Sequence, residues 1–203
     1  MLTKEEVKQR VCDAIVAGQD RLRALASAIM DEPELGYKEH KTSQKVQDMF
    51  TELGIPFTTG HAITGVKGRL QGGKSKKTVA MIGELDAIVC HRHPKADPMT
   101  GAAHCCGHNV QIANLFAVAM GLQAEGVMEA LGGDVVLFAV PAEEMIEVDY
   151  RNTLREKGTI KYLGGKQQLI YEGAFDDIHM AMQMHVETAD TPTGEMNLGS
   201  TSN

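Results

Sequence analysis

Several features are scarce in this chain, and each scarcity narrows what it does. No apolar run approaches the roughly 20 residues needed to span a bilayer. The N-terminus, MLTKEEVKQR, lacks the apolar stretch of a secretory signal, so a cytoplasmic location is expected. Only four cysteines occur (Cys12, Cys90, Cys105 and Cys106), and they lack the spacing of a disulfide framework. They are expected to be reduced thiols or metal ligands. Basic residues are outnumbered, 20 Lys and Arg against 27 Asp and Glu, and the net charge of −7 disfavours nucleic acid as a partner. The one dense basic stretch, GGKSKK at 72–77, reads as a solvated hairpin turn. Neither an internal repeat nor a low-complexity segment is present.

What is there is an ordinary globular composition, 43% hydrophobic and 23% charged over 203 residues, enough for one substantial core. Thr3 and Glu6 have the spacing of a capping box. Val7, Val11, Ile15, Leu22, Leu25 and Ile29 then trace one stripe, predicting a long helix to about Met30. Pro33 and Gly36 break it, and a second helix restarts at HKTSQKVQDMFTELG, with Gly54 placed to end it. GVKGRLQGGKSKKTVAMIGELDA reads as two strands joined by a turn. VQIANLFAVAMGLQAEGVMEAL reads as a buried helix, and GGDVVLFAVPAEE as a central strand covered on both faces. A polar insertion at 149–173 has room for two short helices, and DDIHMAMQMHV follows as another strand. Alternating strands and helices indicate an α/β sheet. The twelve methionines, several of them in MAMQM, read as core filling rather than copper ligands.

The ionisable residues fall at strand ends. TVAMIG runs into Glu84, Leu85 and Asp86; VVLFAV into Pro141, Ala142, Glu143 and Glu144; HMAMQM into His185. If these strands are parallel, the acids and the imidazole meet where open α/β sheets bind ligands. Between them GAAHCCGHNVQ concentrates soft donors. Cys106 and His108 flank Gly107 and can turn toward one ion, a thiolate and imidazole suiting zinc or another late divalent metal. A helix beginning there favours the thiolate form of Cys106. Glu144 and His185 complete a ligand set, with Glu143 left over as a base beside it. Asp86 is placed to orient a ligand from behind.

Each piece alone has a plainer explanation. A buried cysteine and a helix-capping histidine account for Cys-Gly-His, a solvated helix start accounts for two glutamates, and His185 could be a hydrogen-bonded core residue. The joint pattern outweighs these. A Cys-dependent hydrolase using Cys105 or Cys106 with His104 or His108 is a weaker alternative, since no acid is placed in sequence to orient the histidine. His91 and His93, in CHRHP, read as loop histidines or as substrate contacts.

EPELGYKEHKTS, GELDAI, GAAHCCGHN, PAEE and MHV, in that order, resemble the aminoacylase and carboxypeptidase G superfamily of metallohydrolases. The branch it is most similar to holds hippurate, auxin-conjugate and aminobenzoyl-glutamate hydrolases. The resemblance runs along essentially the whole chain. It implies a mixed, largely parallel sheet sandwiched by helices, as in zinc-exopeptidase-like catalytic domains. It also implies metal-dependent hydrolysis of the amide bond of N-acyl or N-aminoacyl amino acids or dipeptides. Matched position by position, the metal ligands are Cys106, His108, Glu144 and His185, Glu143 is the general acid/base, and Asp86 lies behind the metal site. Cys105 stands where many relatives have alanine, and Asn109 where they vary between Asp and Asn. One or two divalent ions are implied, zinc first, with manganese or cobalt as alternatives.

Two family features lack a counterpart. Relatives use one further histidine toward their C-terminus, and no histidine follows His185. They also insert a smaller domain, which makes a full-length relative a homodimer. Residues 1–190 are therefore expected to be the N-terminal portion of the catalytic domain, its C-terminal part missing, and 191–203 the start of a connection to an absent domain. Such a chain is expected to expose a sheet edge and apolar surface, and to hold metal less tightly. A noncatalytic module that keeps the fold and binds a metal or ligand is the alternative from a different class.

Overall fold

A computed structural model describes residues 2–73 and 77–186. The basic turn at 74–76 and the connection at 191–203 lie outside the described residues. The chain opens with α1 (Lys4–Ala17), where the Thr3 hydroxyl accepts from the Glu6 N–H and the Glu6 carboxylate accepts from the Thr3 N–H, a complete capping box. The single helix expected to Met30 is two: Gly18 ends α1, and α2 (Gln19–Met30) follows. The Gly18 N–H closes α1 on the Ala14 and Ile15 carbonyls, and the glycine leaves room there for the Met120 side chain. Only α2 buries its stripe, through Leu25 and Ile29. α3 (His40–Glu52) follows the Pro33–Gly36 break, and Gly54, in the left-handed region at φ 64°, terminates it as expected.

Five strands form one sheet in the order β1-β2-β6-β3-β7: β1 (Phe57–His61), β2 (Gly65–Leu70), β3 (Thr78–Glu84), β6 (Asp134–Val140) and β7 (Met180–Gln183). β2 and β3 are not a hairpin, contrary to the expectation for the segment joining them, because β6 lies between them. β6 is apolar on both faces and pairs on both edges, antiparallel to β2 and parallel to β3. Its side chains alternate. Leu137 and Ala139 face a core with α2, α3 and α4 (His108–Leu122), while Val136, Phe138 and Val140 face a second core with Leu169 and Ile160. The helices α6 (Val148–Glu156) and α7 (Gly165–Tyr171) fill the polar insertion, and helices cover both faces of this mixed sheet.

The buried helix expected after the cysteine cluster is broken at Gly126, φ 77°, into α4 and a short α5 (Val127–Ala130). A two-stranded ladder, β4 (Ile88–Val89) with β5 (Ala102–Ala103), closes the loop before the cluster. β7 pairs with β3 on one side only, and its four residues are exposed. The methionines of MAMQM are thus not core filling: Met180, Met182 and Met184 are solvent-facing on this edge. Among the described residues, no helix is long and apolar enough to cross a membrane.

Candidate metal centre

β3, β6 and β7 are parallel, and their ends are level. The register pairs Glu84 with Val140 and Ile82 with Gln183. The residues just beyond them, at 86, 143–144 and 185, therefore emerge on one side, and α4 begins at His108 against the same ends.

Cys106, His108 and His185 offer ligand atoms within 4.8 Å of one another. The Cys106 Sγ lies 3.3 Å from the His185 Nε2, and the two imidazoles stand nearly perpendicular, centroids 6.2 Å apart at 85°. Donors bound to one zinc at about 2.0–2.3 Å in a tetrahedron stand roughly 3.5 Å apart, so this spacing suits a shared ion. The tautomers agree. The His108 Nδ1 lies 2.8 Å from the Asp86 carbonyl and the His185 Nδ1 2.7 Å from the Val186 carbonyl. A carbonyl oxygen only accepts, so in each ring Nδ1 carries the proton; the His185 Nε2 faces the Cys106 sulfur, and the His108 Nε2 faces the Glu84 and Glu143 carboxylates. The backbone thus presets both rings, as it does for metal-binding imidazoles.

Four carboxylates surround this trio. Burial and the neighbouring Glu144 carboxylate push the Cys106 thiol up to about 11. The expectation that the helix start favours the thiolate is therefore reversed: desolvation and the adjacent carboxylate outweigh one helix terminus. Glu143 lies on the other side of His108, Oε2 at 4.0 Å from Nε2, and groups there with Glu84. Burial raises the Glu143 carboxyl above the usual carboxylate range, and the Glu84 charge adds to it. Glu84 is itself buried. Burial opposes its charge, yet His108 and Lys166 hold its carboxyl well below the usual range, and Gln111 Nε2 donates to it at 2.9 Å. Asp86, fully buried, accepts from the Glu144 N–H at 2.9 Å and stands 3.4 Å from the His108 Nδ1.

His108 shows what this arrangement calls for. Its Nε2 is 3.0 Å from a Glu84 oxygen but off the line a hydrogen bond needs, and it has no hydrogen-bond partner. Burial works against charge on the ring, yet Asp86 and Glu84 push it up to about 11. A buried nitrogen aimed at acids and a sulfur demands positive charge in front of it, and a proton or a metal ion would answer. The set of one sulfur, two imidazole nitrogens and one carboxylate is a zinc-type donor set, so the residues fit a divalent cation.

The turn carrying the two glutamates is strained and tightly held. Ala142 adopts φ 52°, which costs a non-glycine residue about 1–2 kcal/mol. Its N–H donates to Glu39 Oε1 at 2.8 Å, and its carbonyl accepts from the Gly165 N–H at 2.9 Å and from Arg151 Nη1 at 3.4 Å. Arg151, fully buried, also donates to the Glu144 carbonyl and, at 2.9 Å, to that of Leu163. At a net ~0.5–1.5 kcal/mol each, these bonds offset the strain.

Of the six residues singled out from sequence, Cys106, His108 and His185 bring ligand atoms together, Glu143 groups with His108 and Glu84, and Asp86 holds His108 and the Glu144 N–H. The Glu144 carboxylate belongs to neither group of ligand atoms, although its charge acts on Cys106. Glu84 has no role in the sequence reading, although strand alternation puts it on the same face as Asp86, which is the available signal. Glu39, Arg151 and Lys166 have no local signal: the partners of Glu39 and Lys166 lie 25 to 103 residues away, and Arg151 donates mainly to backbone carbonyls. His91 and His93 stay in the loop, where His93 Nδ1 accepts from the Lys95 N–H at 3.2 Å. Cys105 is exposed, its thiol raised by burial and by neighbouring Cys90, and the buried His104 ring, pushed down to about 4 by burial, has no hydrogen-bond partner. Neither has the geometry of an activated thiol–imidazole pair. All four cysteines are free.

No family model matches the chain. It is 27% identical over 175 residues to thermostable carboxypeptidase 2 of Saccharolobus solfataricus, a match covering 84% of this chain and 40% of that protein. It is 26% identical over 192 residues to a p-aminobenzoyl-glutamate hydrolase chain of Escherichia coli, covering 90% and 36% respectively. To the IAA-amino acid hydrolase ILR1-like 5 of Arabidopsis thaliana it is 32% identical over 130 residues, covering 62% and 29%. Among solved structures, the Bacillus subtilis YXEP protein, a dinuclear metal-binding peptidase of the M20 family, superimposes with a TM-score of 0.68 at 23% identity, covering 84% of this chain and 44% of that one. Human carnosine dipeptidase 1 gives 0.53 at 12% identity, covering 85% and 40%. The chain spans 40% or less of the length of these curated relatives. The chain is thus similar in sequence to curated carboxypeptidases and amidohydrolases, and in fold to a peptidase of the M20 family, over less than half of their length.

Proposed function

We propose that this chain carries the metal-binding part of a hydrolase that cuts the amide bond of N-acyl or N-aminoacyl amino acids or dipeptides. The observation that supports it most is the gathering of Cys106, His108 and His185 ligand atoms within 4.8 Å of one another beyond the parallel strand ends, each imidazole preset by a backbone carbonyl. Cys106, His108, Glu144 and His185 would hold the ion, and the thiolate favours zinc over manganese or cobalt. Bound there, a divalent ion supplies Lewis acidity and makes a water molecule easier to deprotonate. Glu143, beside His108 and half-exposed to the cleft, takes that proton as the water attacks the amide carbonyl, then delivers it to the departing nitrogen. Asp86 steadies two ligands at once, His108 through its carbonyl oxygen and Glu144 through its carboxylate. The substrate class follows the relatives: a carboxypeptidase, an IAA-amino acid hydrolase and a p-aminobenzoyl-glutamate hydrolase.

The test is turnover of a panel of acylated amino acids and dipeptides by the zinc-loaded protein and its Glu143→Gln variant. The variant should keep its metal content and lose roughly 10²–10⁴-fold in kcat. Turnover that survives the substitution overturns the role of Glu143. Stoichiometric metal with no turnover of any panel member would favour a noncatalytic module.

A further inference from the structure

Glu39 immediately precedes α3, in the N-cap position, yet its side chain makes no capping bond to that helix. Both carboxylate oxygens reach elsewhere: Oε2 accepts from the Thr64 hydroxyl at 2.7 Å, and Oε1 from the Ala142 N–H at 2.8 Å, 103 residues away. The residue is fully buried, beneath the turn that carries Glu143 and Glu144. A carboxyl group with no solvent and no helix to serve is costly to bury there unless its acceptors are needed.

We propose that Glu39 is a positioning residue for the carboxylates at 143 and 144, acting by fixing the left-handed backbone of Ala142. The inference rests on the metal-centre reading above. The geometry divides the work between two peptide planes. The plane before Ala142 carries its N–H and sets φ, and Glu39 holds it. The plane after carries its carbonyl and sets ψ, and Gly165 and Arg151 hold that one. With both planes fixed, an alanine stays at φ 52° and the next two side chains point at His108 and Cys106. Without an acceptor at 39, the first plane is free to rotate back to negative φ, and the two carboxylates swing with it. Pro141, which has no N–H, offers the turn no substitute bond on that side.

Three substitutions separate this role from a general structural one. Glu39→Met keeps length and removes both acceptors. Glu39→Gln keeps one acceptor for the Ala142 N–H and turns a donor to the Thr64 hydroxyl. Thr64→Val removes only the second partner. Each protein is titrated with zinc against a chromophoric chelator and with cobalt for its absorption spectrum, and urea unfolding is followed alongside. Glu39→Met should lose about 10–100-fold in zinc affinity, the scale seen when groups behind metal ligands are removed. Its cobalt ligand-field bands should change while the thiolate-to-cobalt charge-transfer band persists, because Cys106 sits on another segment. A merely structural role would lower unfolding stability without altering those bands. Glu39→Gln should restore affinity and spectrum to within about threefold of the parent, as should Thr64→Val. If Glu39→Met does not fold, Glu39→Asp, one methylene short of Ala142, carries the same expectation. A zinc affinity and cobalt spectrum unchanged in Glu39→Met, or in Glu39→Asp if that variant is used, overturn the proposal, as does a Glu39→Gln variant as impaired as Glu39→Met. Failure of the parent protein to bind either ion would instead overturn the metal-centre reading before any variant is compared.

Discussion

Replacing Gly165 with alanine tests whether the close approach of α7 to the 141–144 turn sets the geometry of the centre. A Cβ there would stand 1.7 Å from the Pro141 carbonyl oxygen and 2.7 Å from its carbon. Both are backbone atoms, so no rotamer change relieves the overlap. Ordinary C···O contact begins near ~3.3 Å, so α7 and the turn must separate by about 1.5 Å. The Gly165 N–H bond to the Ala142 carbonyl, now 2.9 Å, would be lost in that movement. Overpacking of this kind costs about 1–3 kcal/mol and the lost bond about 0.5–1.5 kcal/mol, giving a loss of about 2–4 kcal/mol. Urea unfolding followed by circular dichroism measures the stability, and chelator competition measures the zinc affinity, which should fall in the same variant because the carboxylates move. Stability within about 0.5 kcal/mol of the parent would refute the steric reasoning. Lost stability with full zinc affinity would refute the link between the turn and the centre.

Other perturbations have defined outcomes. Burial raises the Glu39 carboxyl from 4.5 to about 7, with the Asp86 charge adding to it, so the folded state holds a proton that the unfolded chain releases. Stability should therefore fall by about 3 kcal/mol as pH rises from 4.5 through 7, and Glu39→Gln should lack that slope; parallel pH–stability curves for the two proteins would contradict it. Lys166→Met leaves buried Glu84 without its cation. Because Lys166 is 34% exposed, the loss should be about 1–3 kcal/mol, below the cost of breaking a fully buried pair, and an unchanged urea midpoint would count against the pairing. Cys106→Ser should weaken zinc binding and abolish the cobalt charge-transfer band, whereas persistence of that band would assign the thiolate to another cysteine.

Much of this architecture is legible in the sequence, and the failures have physical causes. The apolar run Val135–Val140 announces a strand covered on both faces, and it does lie inside the sheet, between β2 and β3. Strand order, however, is a long-range property, so two strands adjacent in sequence are expected to pair and do not. Gly18 and Gly126 interrupt helices whose stripes read as continuous, since glycine ends a helix at little cost whatever the apolar periodicity, Gly126 doing so in a left-handed turn. The cluster residues are legible because strand ends collect ligands and because the motifs resemble a family. Glu39 escapes because its partners lie 25 and 103 residues along the chain, and Arg151 because it donates to backbone carbonyls, which leaves no side-chain spacing to read. The MAMQM strand misleads in the other direction, since an apolar edge looks like a core strand until its neighbours are known.

X-ray absorption at the zinc edge of the zinc-loaded protein tests the central claim most directly. The account predicts one sulfur at about 2.3 Å and nitrogen or oxygen donors at about 2.0–2.1 Å, two of them with imidazole scattering. A shell without sulfur, or without imidazole, would contradict it.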